Sequence, residues 1–333
     1  MAVDQNSTTV SNKKKQLVMW FENLRVTDIP LVGGKNASLG EMINAGMPVP
    51  PGFAITAYTY ETFIEKTGLA ENIYKTIKEV IIDPTDPKQY DTASRKIREL
   101  IEKTSIPEEI ESTIKAAYDE LNKRLNLEEP FVAVRSSATA EDLPDASFAG
   151  QQDTFLNVRG TNDLMHNVRK CWSSLFTPRA IFYRNEKGFE HEKVFISVGV
   201  QKMVNSRAAG VMFTINPVTG NADEIVIEGS YGLGESVVSG AINPDDFIID
   251  KKTMKVEEKR LSRKTIEYIR DSKTGKTIHV DVPEDKQKTP CVTDQEILAL
   301  AELAKHIETH YGKSMDIECG RLTKTCPSQR TCS

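Results

Sequence analysis

Residues 134–155 read VRSSATAEDLPDASFAGQQDTF. An apolar run over 131–134 stops at Arg135, small, hydroxyl and acidic residues follow, and apolar sequence resumes at Phe155. A short apolar run bounded in this way reads as a buried strand over 131–135. An arginine closing such a strand stands at a sheet end, where ligands gather, and its planar fork matches phosphate oxygens. The same placement serves equally for a structural ion pair with one of the acids that follow, Glu141, Asp142 or Asp145. Residues 147–154 are small and polar enough to lie over phosphates. By composition alone they are also an ordinary surface loop.

Working outward, 33–47 places Ala37, Leu39, Met42 and Ile43 near helical spacing after a glycine pair. The three prolines of 48–51 forbid helix until a strand forms at 53–56. Residues 58–126 read as helices with a break at 83–87, and 161–188 as helix interrupted at Pro178. Residues 194–204 and 208–215 read as two strands joined by a polar turn. Residues 224–235 read as a strand running into a glycine-rich turn, 246–261 forms a hairpin, and 294–311 is an amphipathic helix starting near Thr293. Helices first, then antiparallel strands, then a closing helix predict an α+β fold with two lobes rather than a doubly wound sheet.

Composition narrows the function classes. The 333 residues are 39% hydrophobic and 27% charged, with 43 basic against 48 acidic side chains and a net charge of −5. That balance argues against a duplex nucleic-acid binder and leaves room for a phosphate-bearing small molecule, which needs only a local cluster of cations. No apolar run reaches the roughly 18 residues of a membrane helix. Residues 1–16 are polar, lack the apolar core of a signal peptide and read as a disordered tail, so the expected location is cytoplasmic. The five cysteines lack zinc-site spacing. None of the five histidines has the glycine-flanked setting of an exposed phosphorylated histidine. His306 and His310 lie one helical turn apart with no third ligand evident, so a solvated helix face is the plainer reading.

A polyphosphate site needs cations and backbone N–H donors, its metal needs carboxylates, and adenine needs a slot with edge hydrogen bonds. Gly33-Gly34-Lys35 suits the first need, although a lone GGK is also a common turn and no Walker loop is present. Gln201 closes an alternating strand that could offer polar groups to an adenine edge, or simply end there. Asp316-Ile317-Glu318 sets two carboxylates on one face of an extended segment, which suits Mg²⁺ shared with phosphate oxygens and suits equally an exposed acidic pair.

The order of these pieces is more specific than any one of them. VGGKNASLGEM, PVPPGFAIT, AVRSSATAEDLPDASFAGQQDTFLNV, VGVQKMV, AAGVMFTI, GLGE, GAINPDDF and HYGKSMDIE follow one another along the chain. Together they resemble the nucleotide-binding region of the phosphoenolpyruvate synthase (pyruvate, water dikinase) family, from about residue 17 to Glu318. The resemblance implies an ATP-grasp fold binding Mg·ATP between two lobes, with 17–205 as the N-terminal lobe and 206–318 as the second. Carried over by motif, it implies Lys35 and Arg135 as phosphate-binding and catalytic cations, and Gly150 and Thr154 as the phosphate-covering loop. It also implies Gln201 as an adenine contact and Glu318 as a nucleotide and metal ligand. In the family, the β-phosphoryl group passes through a histidine on a swivelling domain to pyruvate, giving AMP, phosphate and phosphoenolpyruvate.

The sequence departs from the family after Glu318. A Gln-x-Arg-Pro motif expected there is absent, 319–333 reads as an aberrant unstructured tail, and the phosphohistidine and pyruvate-binding domains are not found in these residues. The expectation is a partial or truncated family member that does not carry out the full reaction alone. The alternatives are a non-catalytic ATP-binding or interaction protein, and an ATP-binding subunit that phosphorylates a histidine on a separate partner, with the phosphohistidine domain supplied in trans.

Overall fold

The computed structural model describes residues 13–139, 153–191 and 194–322, with the backbone of 142–143, 146–147 and 330–332. The chain forms two compact units, one from residues 1–41 and 51–203, the other from 42–50 and 204–333. Among the described residues no helix is long and apolar enough to cross a membrane.

The first unit opens with β1 (Val18–Trp20), α1 (Ile29–Asn44) and β2 (Gly52–Ile55). Four helices follow: α2 (Ala57–Lys66), α3 (Leu69–Val80), α4 (Pro87–Lys103) and α5 (Glu108–Leu125). Then come β3 (Val132–Ala138), the short bridges β4 (Asp142–Leu143) and β5 (Ala146–Ser147), and β6 (Thr154–Val158). The unit closes with α6 (Thr161–Ser173), α7 (Pro178–Lys187) and β7 (Ile196–Lys202). Local chemistry sets the helix starts. Thr56 and Thr177 accept N–H bonds from Thr59 and Ala180, and Asp86 accepts from Lys88. Pro87 and Pro178 occupy first-turn positions that need no N–H donor.

The five strands align β1-β2-β7-β3-β6, all neighbours antiparallel. One face carries Phe53, Ile55, Val132, Val134, Ile196, Val198 and Val200, and it packs under helices that contribute Phe63, Ile97, Tyr118 and Trp172. Trp172 is fully buried and stacks on Phe63 at a centroid distance of 4.6 Å. Each such large side chain contributes about 1.5–3 kcal/mol by leaving water.

The same unit buries an arginine. Arg184, 1% exposed, donates from Nε to His191 Nδ1 at 2.8 Å and from Nη2 to the Leu175 carbonyl at 2.6 Å. Because Nδ1 accepts, the proton sits on Nε2, which donates to Asn185 Oδ1 at 2.8 Å. The described chain is held from its first residues. Lys13 pairs with Asp28 at 2.7 Å and the Gln16 carbonyl accepts from Thr56 Oγ1 at 2.7 Å, so the described chain is anchored before residue 17.

The second unit runs β8 (Ser206–Phe213), β9 (Glu224–Tyr231), the single turn α8 (Glu235–Val238), β10 (Asp245–Asp250) and β11 (Lys255–Arg260). After β12 (Ile266–Arg270) and β13 (Thr277–Asp281) come α9 (Asp294–Tyr311), β14 (Asp316–Leu322) and β15 (Arg330–Cys332). Its sheet is ordered β11-β10-β9-β8-β14-β15, while β12 and β13 form a separate hairpin. Buried Met212, Ile225, Ile227, Phe247, Ile249 and Ile317 share one face, and α9 packs against β9, β10 and β11. Thr293 and Glu296 cap α9 reciprocally, as the start near Thr293 predicts.

Two features differ from the sequence reading. The β12–β13 hairpin falls in a stretch that gave no pattern. The ladder with β8 continues past Glu318, pairing Cys319 with Gly210 and Arg321 with Ala208, so β14 extends four residues into the stretch expected to be unstructured. A strand already paired on one side keeps its N–H and C=O groups bonded whatever its side chains.

Candidate functional site

The sheet of the first unit is two-faced, and its second face carries the polar candidates. In β7, large Ile196, Val198 and Val200 alternate with Ser197, Gly199 and Gln201. Register places Ser137 opposite Ser197, Arg135 opposite Gly199, and Ala133 opposite Gln201. Gln201 also faces Gly52, and Gly199 faces Ala54. Thr154 pairs with Arg135 from β6. Since cross-strand partners share a face, Arg135, Thr154 and Gln201 line one surface opposite the hydrophobic core. Arg135 is half-buried, Gln201 is 4% exposed, and Thr154 is open to solvent.

The helix that carries Lys35, α1, meets this face through the residues on either side of the lysine. Gly33 interrupts that helix at φ 74°, ψ 164°, a conformation open essentially to glycine alone. A Cβ there would lie 2.3 Å from Ser137 Oγ and 2.5 Å from the Ser137 carbonyl oxygen, so α1 meets β3 two residues beyond Arg135. Asn36 lies on the neighbouring strand: its Nδ2 donates to Ser197 Oγ at 3.1 Å, and its Oδ1 stands 2.3 Å from where a Gly199 Cβ would be. Lys35 itself is exposed between these two anchors. The kink thus starts a fresh helix at Gly34, and the N–H groups of such a helix start favour anions.

Some details refine the sequence reading. The N–H groups of Lys202 and Met203 are spent on the Pro51 and Phe131 carbonyls, at 2.9 and 2.8 Å. These two donors are therefore closed to a ligand edge, and the buried Gln201 side chain stands next to them. Gly150 lies outside the described residues.

Glu318 belongs to the second unit, on the face of its sheet opposite α9. Glu318 pairs with Val211, Val211 with Glu228, and Glu228 with Asp246, so three carboxylates line one row across β14, β9 and β10. Asp316 stands in the next row on the same face. Burial first, then the charges of Asp246 and Asp316, push the Glu228 carboxyl up. Burial and then Glu318 do the same to Asp316. Among the described residues no group of three His, Cys, Asp or Glu side chains is placed to hold a metal unaided, and that statement covers His306 and His310. A divalent ion on this face would need water or phosphate oxygens to complete its shell, as Mg²⁺ commonly does.

Sequence reading missed Asn36, Ser137, Ser197 and Gly199. Their signal was present in the alternation of ISVGVQK, whose small residues leave room for α1. It also named Asp316 without committing to it and gave Glu228 and Asp246 no role.

Residues 29–321 match the family described as pyruvate phosphate dikinase, AMP/ATP-binding domain. The chain belongs to this family. A probable phosphoenolpyruvate synthase of Staphylothermus marinus is 49% identical over 327 residues, covering 92% of this chain and 39% of the relative. The probable phosphoenolpyruvate synthase of Methanocaldococcus jannaschii is 48% identical, over 96% of this chain and 26% of its own length. The phosphoenolpyruvate synthase of Pyrococcus furiosus is 47% identical, over 91% of this chain and 41% of its own length. The chain therefore spans less than half the length of each of these relatives. As a pyruvate phosphate dikinase AMP/ATP-binding domain it has the ATP-grasp-like α+β architecture that the motif order implied.

Proposed function

We propose that this chain binds Mg·ATP and provides the nucleotide half of a phosphoenolpyruvate synthase reaction. The observation that carries the reading is the docking of the Gly33–Asn36 kink onto Ser137 and Gly199, which seats α1 on the face lined by Arg135. In this reading Lys35 and Arg135 bind and polarise the phosphates, Gly150 and Thr154 contact them as well, and Gln201 contacts adenine. Two cations aimed at phosphate oxygens also offset the charge that develops as a phosphoryl group leaves.

The acidic row supports a divalent ion. Glu228 and Asp316 are carboxyls whose charged forms are disfavoured by burial and by neighbouring carboxylates, Asp246 and Asp316 for the first and Glu318 for the second, and a cation relieves that cost. We assign Glu318, with Asp316, to Mg²⁺; bound there, the metal would neutralise phosphate charge. The acceptor we assign is a histidine on a separate domain. Its nitrogen attacks the β-phosphorus, and AMP departs with the α–β bridging oxygen. We place the protein in the cytoplasm, with no nucleic-acid or membrane partner, serving pyruvate metabolism in the direction of gluconeogenesis.

Titration calorimetry with Mg·ATP tests the binding. Lys35→Met and Arg135→Met should each weaken affinity about tenfold or more, the loss of one charge-assisted contact. Unchanged affinity in both would refute the site. AMP release on adding the acceptor domain and pyruvate separates a transferase from an ATP-binding protein that does no chemistry.

A further inference from the structure

We propose that Asn36 is the positioning residue for Lys35, with Ser197 and Gly199 as its seat; this rests on the nucleotide reading above and deepens it. Asn36 is 2% exposed within α1, where a buried carboxamide is costly unless each polar atom is satisfied. Its Nδ2 donates to the Val32 carbonyl at 3.0 Å, on the far side of the Gly33 kink, and so staples the kink shut. The same Nδ2 donates to Ser197 Oγ at 3.1 Å, and that hydroxyl spends its own proton on the Ile55 carbonyl at 2.7 Å. Ser197 Oγ is thereby left as an acceptor facing Asn36.

Shape adds a third constraint. Gly199 lacks the Cβ that would lie 2.3 Å from Asn36 Oδ1, so the carboxamide fills the volume a side chain would claim. Gly199 is also the ladder partner of Arg135. One side chain therefore fixes the residue after Lys35 to the strand beside Arg135, while Gly33 fixes the segment before it to β3. A lysine stem has four rotatable carbons and no geometry of its own, so its aim depends on where its Cα is held. An aliphatic residue at 36 could fill the space, but it would set neither the kink nor the register of α1 on β7.

The test is calorimetry with Mg·ATP on the whole chain, comparing wild type, Lys35→Met, Asn36→Ala and the double variant, with melting temperature recorded for each. Asn36→Ala should raise Kd about tenfold, and the double variant should bind no more weakly than Lys35→Met alone, because both remove one function. A second pair works through the seat. Gly199→Ala should copy Asn36→Ala, yet cost nothing further in an Asn36→Ala background, where the carboxamide no longer occupies the site. Should Asn36→Ala fail to fold, Ser197→Ala removes the acceptor, together with its bond to the Ile55 carbonyl, and should still raise Kd a few-fold. An unchanged Kd in folded Asn36→Ala or in Ser197→Ala, or losses that add in the double variant, would overturn the assignment. Wild type that does not bind Mg·ATP would instead overturn the nucleotide reading, and this inference with it.

Discussion

Gly33 holds a conformation that other residues avoid and stands too close to Ser137 to admit a Cβ. Gly33→Ala should cost about 1–3 kcal/mol through the backbone alone and should weaken Mg·ATP binding as well, measured by urea unfolding and calorimetry. His191 makes a different prediction. Burial, and then the neighbouring Arg184 charge, hold its pKa down to about 4. A histidine depressed below its unfolded value near 6.5 stabilises fully above that value, and the stability drains as pH falls from 6.5 towards 4. Melting temperature should decline across that window, and His191→Gln should flatten the decline. At this scale the sequence was partly legible. GGK and the arginine ending a strand each suit phosphate but equally suit a turn and an ion pair, so only their order among the other motifs narrows the reading. Asn36 was silent, since a buried amide is recognisable only once its three-dimensional partners are known.

Elements were read best where one face is apolar. Periodicity found α9 and the strands β2, β3 and β7 because each buries a continuous row. The β12–β13 hairpin pairs Tyr268 with His279 on one face and Ile269 with Ile278 on the other. Neither face is uniformly apolar, so no alternation marks it. The extension of β14 was hidden for another reason: backbone pairing with β8 carries it, reinforced by Arg321 Nε donating to Glu296 Oε1 at 2.9 Å. Glu296 also caps α9 and accepts from Arg207 at 2.5 Å, joining three elements. Burial alone would raise its pKa, but the bonds from Arg207, the Thr293 N–H and Arg321 outweigh it and bring the carboxyl down to about 2. Such a depressed carboxylate stabilises above its usual pKa near 4.3, and the contribution is lost as pH falls towards 2. Glu296→Gln should cost about 1–3 kcal/mol at pH 7 and should flatten the acid limb of the stability curve below pH 4.3, read by circular dichroism.

For the molecule as a whole, each unit has its own sheet and its own buried face. Both tryptophans, Trp20 and Trp172, fall in the first unit. Tryptophan fluorescence therefore follows that unit, whereas circular dichroism follows both. In urea, Glu296→Gln should move the dichroism transition and leave the fluorescence midpoint in place; coincident shifts would mean the units unfold as one. The two-lobe α+β class was legible from the order of helical and strand periods. The assignment of 42–50 to the second unit was not, because helical spacing at the end of α1 and the prolines after it do not say which sheet they join.

The two-faced sheet also decides which sequence changes the protein can survive. Along 196–202, positions 196, 198 and 200 ask only for apolar volume, and Leu, Met or Val can exchange there at modest cost. Positions 197, 199 and 201 are held by a hydroxyl acceptor, a missing side chain and a buried amide, and each admits very few replacements. Saturating this strand with substitutions would give a tolerance profile with a period of two, permissive and strict positions alternating, and its strict half would trace the polar face of the sheet directly from survival.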